Sequence, residues 1–285
     1  MSWKRYKEGK KAQSPRVKDK LAGLEVKPSK SRGQNFIIDP LVLDSIVEFG
    51  APKNGNNIIE IGPGLGALTE RLLPYGNLSV IEIEGKFCSE LRKKHPALKV
   101  IQSDVREVDF VELGKDLLVF GNLPYSFSTD IIFHLVAFAD SIDRAVLMLQ
   151  REFAERLGAE PGGRSYGVLS ISCQLSANVR LGPIIGGDSF HPPTEVESRL
   201  VELTFPRTPK FKVEDVFWVK RVVSAAFTMR RKMIKNTLKG SQIVPGDAVD
   251  RALERVAIDP RRRPETLSIP EFIALSEALQ LERST

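Results

Sequence analysis

Four stretches of this chain put reactive or ligand-binding residue types at spacings that chemistry can use. Ile-Gly-Pro-Gly-Leu-Gly (61–66) follows an apolar run and opens a helical pattern. Glycines there permit a tight turn and let a ligand approach the backbone. Glu82, near the end of the next apolar run, suits a carboxylate that grips both ribose hydroxyls of an adenosine. This pair serves a nicotinamide dinucleotide and S-adenosylmethionine equally well, and a glycine turn that only packs helix on strand is the plainer alternative. Asp104, just past a third apolar run, could accept a hydrogen bond from an adenine amino group or act as an ordinary loop cap.

Asn122-Leu123-Pro124-Tyr125 is the most specific of the four. The lone pair of an adenine amine is delocalised into the ring, so the nitrogen is a poor nucleophile. Two acceptors facing its N–H groups favour a pyramidal nitrogen with an aimed lone pair. The Asn122 side-chain oxygen and a backbone carbonyl at Leu123 or Pro124 would supply them, with Tyr125 stacking on the extruded base. An Asn-Pro turn beside a buried tyrosine is the alternative, but it explains poorly why these residues sit together at a strand's carboxyl end, where α/β active sites lie.

The surrounding pattern alternates strands and helices. Strands are expected over 57–61, 78–83, from 100, 117–120, 145–149 and 200–205, with helices over 67–73, 87–94 and 129–138. Asp39-Pro40 reads as a helix cap and first-turn proline, with Leu41, Val42, Ile46 and Phe49 facing inward and Gly50 ending the helix. The stretch 168–175 fits either period. After Pro206 only helical patterning remains: Val223, Phe227, Ile234 and Leu238 form an apolar stripe beside Arg231, Lys235 and Lys239. The expected domains are a flexible basic arm (1–31), a doubly wound α/β domain (32–206) and a helical domain (207–285).

The net charge of +6 is unevenly spread: residues 1–32 carry +8, 33–206 carry −8 and 207–285 carry +6. Basic ends around an acidic middle fit a catalytic body held on a phosphate backbone. The two cysteines, Cys88 and Cys173, offer neither a disulfide framework nor a zinc site, and the three histidines pair with nothing, so no metal is expected. No apolar run reaches membrane-spanning length, and a cytoplasmic location is expected.

The chain resembles the ribosomal RNA adenine N6-dimethyltransferases, a class I methyltransferase family. The matching residues are Gly-Gln-Asn-Phe (33–36), Glu-Ile-Gly-Pro-Gly-Leu-Gly (60–66), Val-Ile-Glu (80–82), Gln-Ser-Asp (102–104) and Gly-Asn-Leu-Pro-Tyr (121–125). Met-Leu-Gln-Arg-Glu (148–152), Phe-His-Pro-Pro (190–193) and Phe-Thr-Met-Arg-Arg-Lys (227–232) extend the match. The resemblance implies a Rossmann-like domain with a mainly parallel seven-stranded sheet and a small helical domain. It implies S-adenosylmethionine held by Asn35, Ile37, Gly62, Gly64, Glu82, Asp104 and Asn122. Asn122, Leu123 and Pro124 would carry catalysis, Tyr125 and Phe190 would sandwich the target adenine, and Arg230, Arg231, Lys232 and Lys235 would hold RNA. Phe190 could equally be a core aromatic.

Leu123, the two prolines after His191 and Arg-Pro-Glu-Thr-Leu-Ser (263–268) are similar to the branch that dimethylates two adjacent adenines near the 3′ end of small-subunit rRNA, with a part in subunit biogenesis. The expected partner is that rRNA within the small subunit or its precursor, met by a monomeric enzyme. Ser126 and Thr194-Glu195 depart from the family pattern. A large-subunit methyltransferase of the macrolide-resistance type, a non-catalytic assembly factor and a DNA adenine methyltransferase are the competing readings. A nicotinamide dehydrogenase would need a proton-transfer constellation that the sequence lacks.

Overall fold

The computed structural model describes residues 14–25, 35–229 and 231–283. The chain forms two compact units, one of residues 1–151 and 180–204, the other of 152–179 and 205–285. In chain order the first unit begins with α1 (Ser14–Gly23), β1 (Phe36–Ile37), α2 (Pro40–Gly50), β2 (Asn56–Ile61), α3 (Thr69–Leu72), β3 (Gly76–Glu82), α4 (Gly85–Lys94) and β4 (Lys99–Gln102). It continues through β5 (Leu117–Asn122), α5 (Ser128–Ala137) and β6 (Ile142–Gln150). After α6 (Arg151–Leu157) and α7 (Val168–Gln174) come β7 (Asn178–Ile185), β8 (Phe190–His191) and β9 (Ser198–Thr204).

Seven strands lie in the order β4-β3-β2-β5-β6-β9-β7. The first five are parallel and β9 runs antiparallel to β6. Successive strands leave β2 toward one edge and then, from β5, toward the other. The strand order therefore reverses between β2 and β5, where open α/β sheets form their ligand crevice. Ile58, Ile59, Leu117–Phe120 and Ala145–Leu149 are all buried, as continuous apolar runs in a sheet covered on both faces must be.

Asp39 caps α2 by accepting the Leu41 N–H at 2.9 Å, and Pro40 occupies the first turn. Val42, Leu43 and Ile46 face the core, whereas Leu41, expected inward, is 51% exposed. The helix ends at Gly50 as expected, and Ala51 follows in the left-handed conformation with φ 40°. The glycine is needed because a Cβ there would lie 2.5 Å from the Phe120 ring. The glycine turn also runs further than the sequence suggests, so the helix expected over 67–73 shortens to Thr69–Leu72 and a 3-10 turn.

The basic arm is not wholly a flexible segment. Residues 14–23 form α1, with Leu21 only 3% exposed, and the Lys86 Nζ donates to the Leu24 and Glu25 carbonyls at 3.0 and 3.1 Å. Val17, Leu21 and Leu24 recur at helical spacing, a signal hidden among the lysines. Expectations for residues 1–13 and 26–34 lie outside the described residues.

The second unit adds α8 (Val216–Ala226), α9 (Ile234–Ser241), α10 (Gly246–Arg255) and α11 (Ile269–Arg283). Its core joins Trp218, Val222, Leu238 and Phe272 with Tyr166, Ile171 and Leu175. Residues 152–179, assigned from sequence to the α/β domain, therefore belong here, and the ambiguous stretch from 168 is helical. The apolar stripe through Leu238 is not one helix. The chain breaks through a 3-10 turn at Phe227–Met229, and the Ile234 N–H then donates to the Arg262 carbonyl at 2.7 Å. No helix among the described residues is long and apolar enough to cross a membrane.

Candidate active site

A cavity of about 300 Å³ opens at the carboxyl ends of β2, β3, β4 and β5. All seven residues expected to hold the cofactor line it: Asn35, Ile37, Gly62, Gly64, Glu82, Asp104 and Asn122. Gly62 and Gly64 have φ of 67° and 53°, and a Cβ on Gly64 would come within 2.9 Å of Phe36. Backbone conformation and close packing therefore both demand glycine at 64. Phe36, which meets Phe87 edge-on at 5.7 Å, supplies an apolar wall.

Glu82 is 6% exposed, and burial raises its carboxyl above the usual range. Its Oε2 accepts the Gly64 N–H at 3.0 Å and its Oε1 the Glu84 N–H at 2.9 Å. A backbone hydrogen bond from Ile83 also holds this carboxylate, which lines the cavity. Glu60 also lines the cavity. Burial pushes it up to about 8, against the Thr69 hydroxyl that donates to it at 2.6 Å, so this carboxyl is protonated at neutral pH. Asp104 is held below the usual carboxylate range, chiefly by its hydrogen bonds from the Arg106 side chain.

The Asn122 Nδ2 donates to the Asn35 carbonyl at 2.9 Å. That bond fixes the amide with Oδ1 as its acceptor end, and among the described residues Oδ1 takes no hydrogen bond. The Leu123 and Pro124 carbonyls differ in occupancy. The Pro124 carbonyl already accepts the Phe127 N–H at 3.2 Å and the Ser128 hydroxyl at 3.0 Å, which fills both lone pairs. The Leu123 N–H is anchored on the Met148 carbonyl at 3.2 Å, and among the described residues its own carbonyl accepts no hydrogen bond, although the residue is buried. Pro124 lines the cavity with its ring, and the Tyr125 hydroxyl lies 2.8 Å from the Ser198 Oγ.

Phe190 is 1% exposed, pairs across the β1–β8 ladder with Ile37 and belongs to the α/β core, the placement of the core aromatic that the sequence left as its alternative. The aromatic that lines the cavity just beyond Tyr125 is Phe127, which sequence reasoning missed. In the helical unit Arg231 and Lys232 are exposed, while Lys235 and Lys239 both pair with Asp250, at 3.0 and 2.7 Å. Arg230 lies outside the described residues.

The model of the family "Ribosomal RNA adenine dimethylase" matches residues 26–281. The chain belongs to that family. Ribosomal RNA small subunit methyltransferase A of Hahella chejuensis is 40% identical over 252 residues, which cover 86% of this chain and 90% of that protein. A dimethyladenosine transferase from Plasmodium falciparum superposes with a TM-score of 0.74 at 25% identity, over 84% of this chain and 95% of that one. The 23S rRNA methyltransferase ErmE shares the fold, with a TM-score of 0.66 at 20% identity over 86% of this chain and 99% of its own.

As a family member the chain is an S-adenosylmethionine-dependent RNA adenine methyltransferase. The cavity fits the cofactor: a glycine cradle, a buried carboxylate and an ionised aspartate lie beside an apolar wall. When bound, the cofactor supplies an activated methyl group on a sulfonium.

Proposed function

We propose that this adenine dimethylase methylates two adjacent adenines near the 3′ end of small-subunit rRNA, as a monomeric cytoplasmic enzyme acting on the small subunit or its precursor. The observation that carries the chemistry is Asn122 Oδ1 at the cavity beside the end of β5, which takes no hydrogen bond among the described residues, with the carbonyl of the buried Leu123 next to it as the second acceptor. They would take the two N–H groups of the target amine and turn its lone pair toward the methyl carbon. The bound cofactor would supply its methyl group in line with that lone pair, and the two acceptors would hold the amine until its spare proton passes to water. No side chain need act as a tuned base, so catalysis rests on alignment and electrostatics. Tyr125, braced by Ser198, would stack on the base.

Relatives of about 40% identity that carry the small-subunit name support that substrate over the large subunit. Asn35, Ile37, Gly62, Gly64, Glu82, Asp104 and Asn122 would hold the cofactor, and Arg231 and Lys232 would meet phosphates. The test offers labelled S-adenosylmethionine with undermethylated small subunits, large subunits and naked rRNA, followed by nucleoside analysis. N6,N6-dimethyladenosine in small subunits alone is the expected result. Label in large-subunit RNA, or particle binding without label, overturns it.

A further inference from the structure

Arg106 lies on the 3-10 turn Val105–Glu107, just past β4, and itself lines the cofactor cavity. Its guanidinium makes a two-pronged contact with Asp104, Nε to Oδ1 at 3.0 Å and Nη2 to Oδ2 at 2.6 Å. Its Cζ lies 4.5 Å from the centre of the Phe127 ring, and its Nη1 lies 3.6 Å from Asp130 on α5. One side chain thus ties the turn bearing Asp104 to the turn that follows the Asn-Leu-Pro-Tyr motif.

We infer that Arg106 is a positioning residue for adenine recognition: it fixes which oxygen of Asp104 receives the cofactor's amino group and holds Phe127 as part of the surrounding wall. The inference rests on the reading that Asp104 accepts that amino group. Oxygen occupancy makes it specific. Asp104 Oδ1 already accepts the Arg106 backbone N–H at 2.9 Å as well as the side-chain Nε, so it is filled. Oδ2 accepts one bond and keeps one lone pair for the adenine N–H. A planar fork dictates this orientation, whereas the point charge of a lysine does not. The cation over Phe127 adds a contact that a neutral residue lacks.

The test titrates the full chain calorimetrically with S-adenosylhomocysteine and with its 6-oxo counterpart, S-inosylhomocysteine. Wild type should prefer the amino compound, because the oxo group sets an acceptor against Oδ2. Arg106→Ala should bind S-adenosylhomocysteine about tenfold more weakly, the scale of one hydrogen bond to a charged group, and lose most of the amino-over-oxo preference. Arg106→Gln, which keeps the side-chain bulk, should behave alike, and thermal unfolding of both variants checks that the fold persists. Arg106→Lys should recover only part of the preference; full recovery would show that charge alone suffices and overturn the fork. Asp104→Asn separates the two levels of the argument. If it weakens binding while Arg106→Ala retains wild-type affinity and preference, the positioning role is overturned and the adenine reading stands. If it binds both compounds as wild type does, the adenine reading fails.

Discussion

At the scale of single residues, the site depends on which polar atoms are already spent. The Asn122 Nδ2 is committed to Asn35, which leaves its Oδ1 as the oriented acceptor that the proposed mechanism uses. Asn122→Ala should cut methyl transfer by about a hundredfold or more while leaving the melting temperature nearly unchanged, since a pre-aligned acceptor of this kind carries that order of rate. A folded Asn122→Ala protein that still methylates would remove the proposed role. Glu60 gives a prediction of opposite character. Unfolded, it releases its proton near its ordinary value of 4.5; folded, it holds the proton to about 8. The native state binds more protons across that window, so Glu60 lowers stability progressively as pH rises through it, by about 1.4 kcal/mol per unit of difference. Glu60→Gln should remove this slope, read as the difference between melting-temperature profiles of the two proteins from pH 5 to 8.5. Parallel profiles would show that Glu60 titrates normally.

Elements explain which of these residues could be recognised from sequence. Gly62, Gly64, Glu82, Asp104 and Asn122 were legible because each stands at a strand's carboxyl end, where residue type and strand periodicity point to the same place. Phe190 stayed between two readings because an aromatic beside prolines reveals a turn but not its neighbours, and only the pairing of β1 with β8 shows it buried. Arg106 and Phe127 were missed because their contact joins two loops that no local pattern links. Strand β7 was missed for lack of alternation, with only Ile185 fully buried. Gly50 ends α2 as its sequence position suggests, and it has a second role that no local pattern reveals. It serves close packing, so Gly50→Ala should destabilise the α/β unit by about 1–3 kcal/mol through overpacking against Phe120 and Val146. Chemical denaturation would measure this, and an unchanged midpoint would mean that the Phe120 ring moves aside freely.

For the whole molecule, charge and chemistry are divided between the two units. Every residue lining the cavity belongs to the first unit, whereas the exposed Arg231 and Lys232 belong to the second. Sequence charge suggested this division but misjudged its details. Lys235 and Lys239 do not continue a cationic stack from Arg231, because the helix breaks before Ile234 and both lysines neutralise Asp250. A lysine already paired gains less from a phosphate than an open one does, since the existing pair must first be given up. The double change Arg231→Ala, Lys232→Ala should therefore weaken RNA binding more than Lys235→Ala, Lys239→Ala. It should also reduce the steepness of the affinity's salt dependence, by about 0.7–0.9 in log–log slope for each phosphate that the protein no longer neutralises. Titration of rRNA fragments at several salt concentrations reads both effects, and S-adenosylhomocysteine titration of the same variants should show unchanged cofactor affinity. Equal losses from the two double variants would mean that Asp250 releases its lysines at no cost and that the whole face of α9 meets RNA.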